Sequence, residues 1–143
     1  MRISRIDPTL PLPEYKTRGA VAFDLLARMD AIIQPGEIAY VPSNIVVETP
    51  PGYALIIAPR SSLHKRGLVL ANGIGVIDQD YCGPEDELHM ALRNVGTAPA
   101  SIQRGERLCQ GMFLAVDIAE WQELNHAAIA QPSRGGCGST GNT

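Results

Sequence analysis

The sequence predicts an all-β domain, a sandwich or barrel of short strands. Eleven prolines and fourteen glycines are spread along the 143-residue chain, a spacing that long amphipathic helices do not tolerate. Between these breakers lie short runs rich in strand-forming residues, and many short strands joined by Pro/Gly turns are the pattern of a sandwich or barrel. One run, residues 87–93, puts Leu88, Met90 and Leu92 on one face with a period of two, which is a half-buried strand.

Taken in order, strands are expected over residues 37–41, 44–48 and 53–58. The one helix candidate is a turn or two at 61–66, placed to orient Arg60 and its neighbours. A strand at 68–71 leads into Gly73-Ile74-Gly75-Val76-Ile77-Asp78-Gln79-Asp80-Tyr81-Cys82-Gly83. There Gly73 and Gly75 permit a tight turn with positive φ, and Val76 and Ile77 favour a strand. This reads as a hairpin with Asp78 and Asp80 on one face and Tyr81 on the other. Strands at 87–93 and 112–118 follow. From Gln131 the chain is rich in Gly, Ser, Thr and Pro, so residues 1–130 are expected to form one β domain and 131–143 a tail, mobile when nothing is bound.

A chain of this length suits one domain and can bury roughly two thirds of its unfolded surface. The net charge is −3 and no basic run is present, which argues against a nucleic-acid polymer as partner. No apolar run approaches the length of a membrane span, and the first residues lack the apolar core of a signal peptide. Cys82, Cys109 and Cys137 are odd in number and far apart, so neither a disulfide framework nor a zinc site is indicated. A reducing cytoplasm is the expected location.

Four further segments accompany the glycine-rich one. They are Gly19-Ala20-Val21-Ala22-Phe23-Asp24-Leu25-Leu26-Ala27, Ala58-Pro59-Arg60-Ser61-Ser62-Leu63, Gln103-Arg104-Gly105-Glu106-Arg107-Leu108-Cys109-Gln110 and Ser133-Arg134-Gly135-Gly136-Cys137-Gly138-Ser139-Thr140-Gly141. Together and in this order, the five resemble the motifs of the trimeric dUTP pyrophosphatases (dUTPases). The resemblance covers nearly the whole chain. It implies a distorted jelly-roll or β-clip barrel, a homotrimer with active sites at subunit interfaces, and Mg²⁺-dependent hydrolysis of dUTP to dUMP and pyrophosphate.

Hydrolysing a nucleoside triphosphate requires donors for the polyphosphate, an activated water in line with the attacked phosphorus, and groups that read base and sugar. Asp78 is the candidate general base, since an ionised carboxylate can take a proton from attacking water; the alternative is an Asp that stabilises the turn. Asp80 is expected to tie the hairpin down. Arg60, Ser61 and Ser62 are candidate phosphate ligands, because the guanidinium fork and nearby hydroxyls suit phosphate oxygens; an exposed Arg beside an N-capping Ser is the alternative.

The remaining roles follow from the resemblance. Tyr81 would pack on the deoxyribose and exclude a 2′-hydroxyl. Asn72, Gly75 and Ile77 would contact the nucleoside, with uracil read mainly by backbone groups. Gln110 would be a further phosphate-side donor, and Asp24 would support the phosphate and metal-water region. Arg134, Gly138, Ser139 and Thr140 would close over the triphosphate. No residue cluster builds a metal cage, so Mg²⁺ would be held mainly by phosphates and water.

Two departures from the family stand out. An acidic insert, residues 84–87, reads as a solvated bulge or extended turn, with a metal site as the alternative. The tail is short, and Cys137 stands where the family has a phenylalanine that stacks on uracil. The nearest rival is dCTP deaminase, whose proton-shuttling Glu would fall at Ala91, three residues before Asn94. A non-catalytic nucleotide-binding protein on the same fold is the other alternative, opposed by the presence of both Asp78 and Tyr81.

Overall fold

The computed structural model describes residues 1–128 and 131–132. Among them are eleven strands: β1 (Arg2–Arg5), β2 (Phe23–Leu26), β3 (Ala31–Ile33), β4 (Ile38–Pro42), β5 (Ile45–Glu48), β6 (Tyr53–Pro59), β7 (Leu68–Leu70), β8 (Gly75–Ile77), β9 (His89–Asn94), β10 (Ala100–Ile102) and β11 (Arg107–Ala115). A four-stranded sheet runs β2-β11-β6-β8 and a three-stranded sheet β4-β9-β7, with β1 paired to β5 and β3 to β10. Every pairing is antiparallel. The chain is therefore all-β, as its turn-rich sequence predicts, with its strands in four small antiparallel sheets.

Alternation sets which side chains face in. Phe23 and Leu25 enter the core from β2 and Ala27 just after it, Leu55 and Ile57 from β6, Leu68 and Leu70 from β7, and Leu88, Met90 and Leu92 from the run around β9. The period-two face expected at 87–93 is fully buried. In β11, Leu108 and Cys109 are both buried although adjacent. A register irregularity between Arg107 and Cys109 accounts for it, since a bulge turns two successive side chains the same way. Gly111 lies under the Phe23 ring, and a Cβ there would come within 2.5 Å of Cζ.

Several expectations are corrected. The last strand begins at Arg107 and ends at Ala115, earlier than 112–118, because the bulge hides its period. The helix candidate is one 3₁₀ turn, Leu63–Arg66, ended by Gly67 with φ of 69°; a second such turn spans His126–Ala128. The glycine-rich segment is a corner between sheets, not a two-stranded hairpin. Its leading strand β7 pairs with β9, whereas β8 pairs with β6. Gly73 has the expected positive φ of 74°. Gly75 does not; it is small because a Cβ would stand 3.2 Å from Cβ of Ile57.

Candidate active site

Strand β6 organises the site. At its far end, Arg60 emerges directly after Pro59, beside the β2–β11 pair. Gln110 of β11 stands opposite Ala58 on one side and Asp24 of β2 on the other. These residues meet in an open hollow of about 290 Å³ lined by Lys16, Asp24, Arg60, Ser61, Arg107 and Gln110, among others. Asp24 forms an ion pair with Nε of Arg60 at 3.0 Å and accepts a hydrogen bond from Nη1 of Arg107 at 3.1 Å. Arg60 also donates from Nη1 to the Arg107 carbonyl at 3.2 Å, and Gln110 Nε2 donates to the Pro59 carbonyl at 3.3 Å. Arg60 and Arg107 thus share one carboxylate, while Lys16, itself paired with Glu14, lines the same hollow, and the surplus positive charge with guanidinium, hydroxyl and amide donors suits a polyanion. Ser62 precedes the 3₁₀ turn without capping it through its side chain, so its hydroxyl is not committed to a helix end.

The other end of β6 carries the second part. Tyr53, Ala54, Val76, Ile77, Asp78 and Asp80 line a hollow of about 590 Å³, within the size range of small-molecule sites. Asp78 is exposed and follows the last residue of β8. Its carbonyl accepts the Tyr81 N–H at 3.3 Å, so the chain turns back there. The Tyr81 ring is 39% exposed, with its hydroxyl donating to the Glu87 carbonyl at 3.3 Å. Asn72 and Gly75 lie at the corner, where the Asn72 carbonyl accepts the Ile74 N–H at 2.9 Å. The Asp78 side chain is exposed and makes no hydrogen bond among the described residues, so it does not cap the turn.

The structure gathers Asp24, Arg60, Ser61 and Gln110 in one hollow and Ile77 and Asp78 in the other, with Tyr81 at the turn beside them. It does not bring the two groups together within one chain. They sit at opposite ends of a seven-residue strand, roughly 20 Å apart at about 3.3 Å per residue. Arg134, Gly138, Ser139 and Thr140 lie outside the described residues, as does Cys137.

Sequence reasoning erred on two acids and missed three residues. Asp80 makes no hydrogen bond among the described residues; Gln79 ties the turn instead, its Nε2 donating to the Tyr53 carbonyl at 3.0 Å. The acidic insert is not wholly solvated. Asp86 closes a short turn by accepting the Gly83 N–H at 2.7 Å. Glu87 is buried, accepting from Nε and Nη2 of Arg28 at 2.8 and 3.0 Å and from the Asn44 N–H at 2.7 Å. That pair raises the Arg28 pKa above its ordinary value, chiefly through the hydrogen bond to Glu87. Arg107 and Lys16 also belong to the cationic hollow. Arg107 stood inside a quoted motif, but the bulge between it and Cys109 hid which face it takes. Asn94, the landmark for the deaminase comparison, is buried and structural: its Nδ2 donates to the carbonyls of Ile33 and Ala98, each at 2.8 Å. Among the described residues no group of three acidic, His or Cys side chains could hold a metal ion.

Comparison with known proteins gives a consistent likeness in sequence and fold. The family model described as dUTPase matches residues 9–141. The chain is 41% identical over 142 residues to the deoxyuridine 5'-triphosphate nucleotidohydrolase of Shewanella pealeana, covering 96% of this chain and 91% of that protein. The crystal structure of the dUTPase from Streptococcus mutans superposes with a TM-score of 0.76 at 29% identity, covering 83% of this chain and 98% of that one. A mutant dUTPase of Staphylococcus bacteriophage 80alpha with dUpNHpp shares the fold at a TM-score of 0.86 and 19% identity, over 99% and 98% of the two chains.

Proposed function

The chain belongs to the dUTPase family, and on that premise we propose how it acts: as a dUTP diphosphatase releasing dUMP and pyrophosphate. The single observation that carries the reading is the pairing of an exposed carboxylate, Asp78 beside Tyr81, with a separate polyanion hollow around Arg60 and Gln110. Asp78 takes a proton from water as the water oxygen bonds to the α-phosphorus. The bridging α–β P–O bond breaks and pyrophosphate leaves with that electron pair. Charge growing on the phosphate oxygens is met by Arg60, Ser61, Ser62 and Gln110, while Asp24 holds Arg60 and Arg107 in place. Tyr81 packs on deoxyribose, and the backbone of Asn72, Gly75 and Ile77 reads the nucleoside. Residues 131–143 act as a tail distinct from the domain over 1–130, bringing Arg134, Gly138, Ser139 and Thr140 over the phosphates.

The donor set of the cationic hollow fits a metal carried in by substrate. Its one carboxylate, Asp24, is already paired with two arginines, so Mg²⁺ would be held by phosphate oxygens and water, with Asp24 the acidic group alongside. Bound there, it supplies neutralisation of the triphosphate charge.

Because one chain sets its two halves at opposite ends of β6, a complete site needs a second copy, and we assign a homotrimer with sites at subunit boundaries. Ile118 and Trp121 follow β11 at 86% and 93% exposure, apolar side chains that a neighbouring copy would cover. Among the described residues no helix is long and apolar enough to cross a membrane. The cytoplasm is the proposed location, in keeping with the free thiols of Cys82 and Cys109.

The test is pyrophosphate release from dUTP, with dCTP and UTP as comparators, in wild type and Asp78→Asn. The substitution is expected to lower kcat by about 10²–10⁴-fold and leave nucleotide binding intact. Near-normal kcat in the variant removes Asp78 as the base, and ammonia release from dCTP at a comparable rate replaces the reading with a deaminase.

A further inference from the structure

We infer that Gln79 is the positioning residue that holds Asp78 in its working place; the inference rests on the reading of Asp78 as general base. Strands β6 and β8 pair Ile57 with Gly75, Ile56 with Val76 and Leu55 with Ile77. Continued by the same register, the ladder would set Asp78 opposite Ala54 and Gln79 opposite Tyr53. It stops at Ile77, and the chain enters the Asp78–Tyr81 turn. Asp78 therefore stands one residue beyond the last paired position, where the sheet no longer fixes its backbone. The next residue restores the link with its side chain: Gln79 Nε2 donates to the Tyr53 carbonyl at 3.0 Å.

The anchor point is itself rigid. Tyr53 pairs with Ala115 of β11 and donates its N–H to the Pro50 carbonyl at 3.2 Å. Among the described residues, neither Asp78 nor Asp80 has a side-chain hydrogen bond that could do the same work. Tyr53 and Asp78 also line one hollow, so the peg lies beside the group it places. A catalytic carboxylate must be held to within about 0.5 Å of its productive position, and a misplacement of about 1 Å can slow a reaction by roughly 10². One hydrogen bond from the Gln79 side-chain amide, at the exit of β8, supplies that hold.

The decisive experiment uses Gln79→Met, which keeps side-chain length and volume but cannot donate. Turnover of dUTP and the Kd of the non-hydrolysable analogue dUpNHpp are measured for wild type, Gln79→Met, Asp78→Asn and the double variant, all well below their melting temperatures. Expected is a fall in kcat of about 10- to 100-fold for Gln79→Met, with the analogue's Kd unchanged and the double variant no slower than Asp78→Asn alone. A purely structural glutamine would lower stability without this split. Wild-type kcat in Gln79→Met overturns the inference, as does a double variant that suffers both losses in full. If Asp78→Asn itself keeps near-normal kcat, the reading of the base has failed and the positioning role goes with it. A slow Asp78→Asn beside a fast Gln79→Met leaves the base standing and rejects Gln79 alone.

Discussion

The carboxylate of Asp24 pairs with two guanidinium groups at once, and its side chain is only 13% exposed. Removing that charge releases both arginines from the hollow they share with Gln110. Asp24→Asn should therefore lower kcat/KM for dUTP by about 10- to 100-fold, the scale of hydrogen bonds to charged groups, with little change in melting temperature. A variant with unchanged kcat/KM would show that Arg60 is held by its bond to the Arg107 carbonyl alone. The cysteines divide just as sharply. Cys82 is exposed, whereas desolvation pushes the buried Cys109 thiol up to about 12, leaving almost no thiolate at neutral pH. Iodoacetamide at pH 8 should modify Cys82 in the folded protein and spare Cys109 until denaturant is added, as peptide mass spectrometry would report.

At the scale of elements, β2 and β11 meet across a contact that admits no side chain. A Cβ on Gly111 would stand 2.5 Å from Cζ and 2.7 Å from Cε2 of Phe23, and Phe23 is itself wedged against the rings of Tyr15 and Phe113. Gly111→Ala should cost about 1–3 kcal/mol, the usual range for overpacking a core, and shift Asp24 and Gln110, which are paired in the same ladder. A thermal melt matching wild type would mean that the ring moves aside freely. This contact was not legible in the sequence, because it depends on which glycine faces which ring across 88 residues of chain. Strand β9 was legible, since Leu88, Met90 and Leu92 carry their own period. Strand β1 was not: it is almost wholly exposed and is a strand only by pairing with β5. Glu87 was misread for the same reason, its partner Arg28 lying 59 positions away. For the candidate site, Asp24, Arg60, Asp78 and Gln110 stood out through their motifs. The separation of these residues into two groups was hidden, because it follows from the register of β6 with β8 and β11.

That separation shapes the whole molecule. Within one chain the Asp78 turn and the Arg60 hollow occupy opposite ends of β6, so an α-phosphate cannot touch both. If neighbouring copies supply the two halves, inactive variants should rescue one another. Asp78→Asn leaves the Arg60 hollow intact, and Arg60→Ala leaves the Asp78 turn intact. Each alone should form a trimer of inactive sites. Unfolded together in equal amounts and refolded, they should form mixed trimers by random assortment. A boundary is competent when the subunit giving the turn carries Arg60→Ala and the one giving the hollow carries Asp78→Asn. Chance makes that about a quarter of all boundaries in a closed ring, so the mixture should recover about a quarter of wild-type turnover. Mixing without unfolding should recover none, which controls for contamination. Light scattering should give a mass near three times the 15.3 kDa subunit throughout. Should the refolded mixture stay inactive while wild type refolds to full activity, each chain must complete its own site, by a rearrangement that brings the two ends of β6 to one phosphate.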